Sequence, residues 1–135
     1  MLEAEIIVTA PFYDVDPMNV VWHGNYVRYL EDARCALLDR IGYNYKEMYA
    51  SGYSWPIVDM RIKYVQPIRL SQSVRVVATL KEFENRIKIE YRVLDRDSGS
   101  VLTKAHTIQV AVSIETEEMQ FESPAALTEK VRELL

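Results

Sequence analysis

The chain has 135 residues, 49% of them hydrophobic and 27% charged, which is enough for one domain with its own core and no metal or disulfide staples. A formal net charge of −4 argues against a nucleic-acid-binding protein, which carries a basic surface, while leaving room for a local basic patch. The single Cys35 excludes an internal disulfide and points to a reducing, cytoplasmic setting. The acidic start Met1–Glu5 lacks a signal-peptide core, and no run reaches the roughly 18 apolar residues of a membrane span.

In chain order, Ile6 to Thr9 reads as a short strand closed by Pro11, followed by a loop from Phe12 to Gly24. Tyr26, Leu30, Ala33, Leu37 and Ile41 then recur at helical spacing and define one face of a long amphipathic helix, ended by Gly42. A shorter helical turn is predicted over Tyr45 to Ala50, ending near Gly52. From Trp55 the period becomes two. Val58, Met60, Ile62 and Tyr64 alternate with Asp59, Arg61 and Lys63, and Pro67 ends or bulges that strand. Val74, Val76, Ala78 and Leu80 repeat the pattern, as do Ile87, Ile89, Tyr91 and Val93. Asp97-Ser98-Gly99-Ser100 is a hairpin turn, and Val101 to Ile114 reads as one long final strand. Ser123 as N-cap with Pro124 at the first helical position predicts a small terminal helix carrying Leu127, Val131 and Leu134. The sum is α+β: an antiparallel meander whose apolar face the long helix covers. Nine tyrosines, apolar in body and polar at the tip, point weakly toward an oligomer.

The candidate chemistry lies ahead of the helix. Asp16-Pro17 and His23 precede a helix start, where unpaired N–H groups and the positive end of the dipole suit a carbonyl oxygen that becomes negative. Asp16 has a competing reading as a turn residue, since Asp before Pro starts turns. Asp14 reads as a solvated or turn-forming residue rather than a second acid. For His23, one reading has a neutral imidazole holding water or orienting Asp16, and the other has only its backbone N–H at work. His106, in register with Ile108, Val110 and Val112, reads as a core or interface histidine. Glu31 and Arg34 are spaced for a local ion pair. Cys35, beside the apolar stripe, reads as an inert small hydrophobe. Lys81, Arg86 and Lys88 flank a turn, as a solvated face or as contacts for phosphates.

Asp16-Pro17, Val20-Val21-Trp22, Asn25-Tyr26 and Tyr29-Leu30-Glu31-Asp32-Ala33-Arg34 resemble the 4-hydroxybenzoyl-CoA thioesterase family. His23-Gly24-Asn25-Tyr26 is similar to the His-x-Asn-Tyr of its Tol-Pal-associated acyl-CoA thioesterases. Pro56-Ile57-Val58 and Tyr64-x-x-Pro67 resemble the first strand after the family's helix. The resemblance, which runs to about Ile114, implies the hotdog fold, in which a curved antiparallel sheet of about five strands wraps one central helix. It further implies hydrolysis of an acyl thioester on CoA or on an acyl carrier protein, without a cofactor, by a homodimer or homotetramer. Asp16 matches the family's catalytic carboxylate, and the N–H of His23 its carbonyl-polarising group. Asn19, Val21, Trp22, Asn25 and Tyr26 would lie along the substrate. Two related activities share the frame: a dehydratase or hydratase relying on Glu31, and a binding module that needs no carboxylate at Asp16. The chain departs from the family at Asn19, usually Gly, where Asn still tolerates the left-handed region but reshapes the mouth of the site. It departs again at Gln72, often Asp, where little consequence is expected.

Overall fold

The computed structural model describes residues 2–135. The alternating segments become β1 (Glu3–Thr9), β3 (Ile57–Tyr64), β4 (Ser73–Glu82), β5 (Ile87–Asp95) and β6 (Val101–Gln109), with a two-residue strand, β2 (Tyr53–Ser54), just ahead of β3. The five long strands form one antiparallel sheet in the order β1-β4-β5-β6-β3. Because successive side chains point to opposite faces, one register row decides what meets the helix. Ala4, Ala78, Tyr91, Ala105 and Ile62 lie abreast on the inner face, one strand each. Register shifts at Leu80/Glu82, Val93/Leu94 and Ile57/Asp59 bend the strands, as bulges do, and curve the sheet.

The helix inside that curve is α1 (Tyr26–Ile41). Its buried side is wider than the single predicted stripe, because Tyr29, Arg34 and Leu38 are buried alongside Tyr26, Leu30, Ala33, Leu37 and Ile41. That breadth is what a helix seated on a sheet needs, with three to four apolar positions per two turns. Leu37 and Leu38 are fully buried, and truncating either to Ala would cost about 2–5 kcal/mol. Gly42, at φ 83°, donates its N–H to the carbonyls of Leu38 and Asp39 and ends the helix. The predicted second helix is α2 (Tyr45–Ala50), whose Asn44 and Glu47 form a capping box.

Several expectations need correction. The long last strand is broken: β6 stops at Gln109, and β7 (Val112–Ser113) pairs instead with β2 in a separate two-stranded sheet. The cause lies on the neighbouring segment, where Pro56 has no N–H to extend the ladder beyond the Ile57–Gln109 pair. Gln109 donates its side-chain amide to the Trp55 carbonyl at 2.8 Å, turning the chain there. The terminal helix, α3 (Ala125–Leu134), forms, but Pro124 is its N-cap and Ser123 Oγ makes no capping bond. With Pro124 at ψ 152°, the helix can begin only after it. Leu127 and Val131 are buried as predicted, whereas Leu134 is exposed. Gln72, expected to matter little, holds the Arg69 N–H and the Asp95 carboxylate at 2.9 and 2.8 Å. That bond, with those from Ser98, lowers the Asp95 pKa to about 2.

Candidate active site at the start of the central helix

The loop between β1 and α1 folds back on itself. The N–H of Asp16 bonds to the Val20 carbonyl at 2.9 Å, and Val15 and Val21 form an antiparallel bridge. The turn between them runs Asp16-Pro17-Met18-Asn19, closed by the Asn19 N–H on the Asp16 carbonyl at 2.9 Å. Pro17 supplies the second turn position, where its fixed φ is at home. Asn19 follows at φ 62°, the left-handed residue that a three-residue hairpin loop requires. Asn therefore carries the turn in the left-handed conformation that glycine adopts most easily, and its carbonyl accepts the Leu70 N–H at 3.0 Å.

Asp16 is half-buried within this turn. Its Oδ1 accepts the Met18 N–H at 2.8 Å, so the turn-forming reading is realised. The bond occupies one carboxylate oxygen and fixes the side chain. Oδ2 has no protein partner among the described residues. A held carboxylate with one free oxygen keeps its capacity for attack or proton abstraction.

Asp14 is where the sequence reading fails. It is 3% exposed, neither solvated nor a simple turn residue. Tyr29 donates its hydroxyl to Oδ2 at 2.5 Å, and Arg28 meets Oδ1 at 2.5 Å. Burial works to raise the Asp14 pKa, but the Tyr29 hydroxyl and the Arg28 guanidinium outweigh it and hold it below the ordinary carboxylate value. Burial and the same contact push the Tyr29 hydroxyl up. The Asp14 carbonyl accepts the Trp22 N–H at 2.9 Å and the Asn25 side-chain amide at 2.8 Å. One residue thus pins the loop to both sides of His23.

His23 opens a 3-10 turn, His23–Asn25, that runs directly into α1. Among the described residues, the N–H groups of His23 and Gly24 have no acceptor, as the first donors of a helix do not. The His23 carbonyl accepts from the Tyr26 N–H and from the Tyr64 hydroxyl, the latter at 3.0 Å. Rings surround this point. Trp22 and His23 have centroids 5.1 Å apart, and Tyr26 and Tyr64 meet edge to face at 4.7 Å. A Cβ on Gly24 would lie 2.2 Å from the Trp22 ring, so glycine is what lets the indole lie over the turn. Phe12, Tyr13, Met18 and Trp22 are all at least half exposed around the loop, a concentration of apolar surface that marks a contact site.

Of the other predicted site residues, Asn19 and Trp22 are exposed at the loop, whereas Val21 and Tyr26 are packed into the core. Asn25 is half-buried and spent on the Asp14 carbonyl. Glu31 does pair with Arg34, at 2.5 Å, and also takes the Tyr45 hydroxyl at 3.3 Å. His106 is not a core residue. It is partly exposed on the outer face, 3.8 Å from Asp59, because the inward positions of β6 are Ala105 and Thr107. Lys81 and Arg86 are taken up by Glu90 and Glu82. Sequence reasoning missed Arg28, Tyr29 and Tyr64. Tyr29 had a signal, since it lies three residues after Tyr26 on the buried side.

A five-stranded antiparallel sheet curved around one long helix, with a carboxylate loop at the helix start, is a hotdog-type fold. A family model described as "Thioesterase-like superfamily" matches residues 10–135, and the chain belongs to that superfamily. "Putative acyl-CoA thioesterase YneP" of Bacillus subtilis is 30% identical over 106 residues, covering 78% of this chain and 76% of that protein. "Putative esterase sll0410" of Synechocystis is 31% identical over 88 residues, 65% of this chain, and the match spans about half (52%) of that relative's length. The solved structure of Slr0204, a 1,4-dihydroxy-2-naphthoyl-CoA thioesterase from Synechocystis, has a TM-score of 0.85 at 16% identity. It covers 98% of this chain and 97% of that one, a likeness of fold. No helix among the described residues is long and apolar enough to cross a membrane.

Proposed function

We propose that the protein hydrolyses an acyl thioester, carried by CoA or by the phosphopantetheine arm of an acyl carrier protein. The observation that carries this reading is the pairing of a fixed carboxylate, Asp16 with Oδ2 free, and two unsatisfied N–H groups at His23 and Gly24. A thioester suits so spare a site. Its carbonyl is weakly resonance-stabilised, and its thiol, with a pKa of about 8.5, leaves as thiolate without a strong general acid. The carbonyl oxygen takes up negative charge against the His23 N–H while Asp16 adds to the carbon. The C–S bond breaks, thiolate departs, and water hydrolyses the resulting mixed anhydride. In the alternative route, Asp16 takes a proton from water, which attacks directly. Asn19 and Trp22 border the substrate, while Val21, Asn25 and Tyr26 hold the wall behind it. The His23 side chain, exposed beside Trp22, is free to hold a water.

The fate of Glu31 weighs against the dehydratase reading, since its carboxylate is committed to Arg34 and Tyr45. A homodimer is part of the proposal. β3 is an edge strand with Ile57, Val58 and Tyr64 exposed. Two copies paired antiparallel about Met60 would set Asp59 of each opposite Arg61 of the other, without opposed like charges on that strand. Light scattering giving twice the mass of one chain is the expected outcome.

The test of the reaction is thiol release from short, long and aromatic acyl-CoAs and acyl carrier proteins, by wild type and Asp16→Asn. Hydrolysis by wild type with a loss of about 10²–10⁴-fold in kcat for Asp16→Asn is expected. A wild type that hydrolyses none of the panel overturns the activity. A fully active Asp16→Asn overturns the residue assignment.

A further inference from the structure

The outer face of the sheet carries an arrangement that folding alone does not favour. Arg92 on β5, Lys104 on β6 and Lys63 on β3 stand directly opposite one another across three adjacent strands. Arg61 lies two residues along β3 on the same face. Like charges directly opposed across strands destabilise a sheet. All four are exposed, and among the described residues none is ion-paired within the chain, although neighbouring cations are: Arg75 to Glu5 and Lys81 to Glu90. Arg61 would meet Asp59 of the second copy in the proposed dimer, which leaves the row Arg92, Lys104 and Lys63 to carry the argument. The row lines a trough of about 510 Å³. Glu3 and Glu90 line the trough as well, but Arg61, Lys63, Lys81, Arg92 and Lys104 outnumber them, so in a chain of net charge −4 it carries a net excess of the opposite sign.

We propose that this row is a docking surface for an acidic helix of a partner protein, an inference independent of the hydrolase reading. Adjacent strands are about 4.8 Å apart, so the three cations span about 10 Å across the sheet. That is wider than one phosphate group. Carboxylates three or four residues apart on a helix are about 5–6 Å from one another, a step that flexible Lys and Arg side chains match. A nucleotide or single-stranded nucleic acid would seek a ring to stack on, and the outer positions of β3, β5 and β6 offer no Phe, Tyr or Trp. Attraction at such a patch works within a Debye length of about 8 Å, so the partner must present its carboxylates locally, whatever its net charge.

The test is a fluorescence-anisotropy titration of the full chain with a labelled alanine-based helical peptide bearing Glu along one face, against the same peptide with Gln. The Glu peptide is expected to bind about tenfold tighter or better, and several-fold more weakly when salt rises from about 20 to about 200 mM. Lys104→Glu and Lys104→Gln should weaken binding about tenfold and about threefold, while Lys46→Glu, exposed on α2, leaves it unchanged. Lys104→Glu should also raise the melting temperature, because it removes the opposed like charges. Equal binding of the two peptides, or indifference to Lys104, overturns the proposal. So does a Lys104→Glu variant with a lowered melting temperature. Binding to vesicles containing phosphatidylserine, with none to the peptide, would replace the helix with a membrane surface and equally overturn it.

Discussion

Two carboxylates two residues apart divide the loop ahead of α1 into halves that behave in opposite ways. Asp14 is turned inward, with both oxygens bonded and its backbone carbonyl tied to Trp22 and Asn25. Asp16 is half-buried, held by one bond to its own turn and, among the described residues, without a partner at the other oxygen. The same side-chain chemistry is spent on architecture in one case and left available in the other. Residue type and local spacing offer no reason for the difference; in the sequence only the family resemblance singles out Asp16. Partners fourteen and fifteen residues away, Arg28 and Tyr29, make the difference.

The sharpest way to break this comparison is to exchange the losses. Asp16→Asn should lose about 10²–10⁴-fold in kcat while leaving the melting temperature within a few degrees of wild type, as assayed by thiol release and calorimetry. Asp14→Ala should do the reverse first. It orphans the Tyr29 hydroxyl and is expected to destabilise by about 2–3 kcal/mol in denaturant unfolding. The ion pair with half-exposed Arg28 adds little to that figure because water screens it. If both substitutions lower activity and stability equally, the division of labour is wrong.

A pH series sharpens the inward half. The folded pKa of Asp14 lies below its unfolded value of about 3.9, so its contribution is fully present above that value and is lost as pH falls through the folded one. The stability gap between wild type and Asp14→Asn should therefore stay level from pH 7 to about 4 and close below it. A gap that closes already near pH 6 would point to another group. A smaller effect is expected of Gly24→Ala. The new Cβ displaces the Trp22 ring, and because that ring is half exposed, the stability change should stay below about 1 kcal/mol. KM, read in the same thiol assay, should shift several-fold. Smallest of all, Asn19→Gly should gain a few tenths of a kcal/mol by relieving a left-handed non-glycine residue, with the turn unchanged.

Regular alternation made most of the fold readable. Val74, Val76, Ala78, Ile87, Ile89, Tyr91 and Val93 announce inner-face strands and occupy them. The helix limits at Tyr26 and Gly42 follow from spacing and from one glycine. The failures share a cause in distance. The break after Gln109 is imposed by Pro56, more than fifty residues earlier, and no pattern within Val101–Ile114 reports it. Asp14 is polar, sits between loop residues and differs locally in nothing from a solvated acid. Arg34 is charged, yet its stem lies under the helix because Glu31 and Tyr45 receive its head. The turn at Asp16 was readable because all its determinants lie within Asp16–Val20.

The bond from the Tyr64 hydroxyl to the His23 carbonyl joins the last residue of the edge strand to the first turn of the helix. That carbonyl and the Gly24 N–H belong to a single rigid peptide plane and point to opposite sides of it. Gripping the oxygen aims the hydrogen. The edge of the sheet therefore acts as a sight-setting for one of the two unbonded donors at the helix start. Any partner that shifts the end of β3 turns that plane with it.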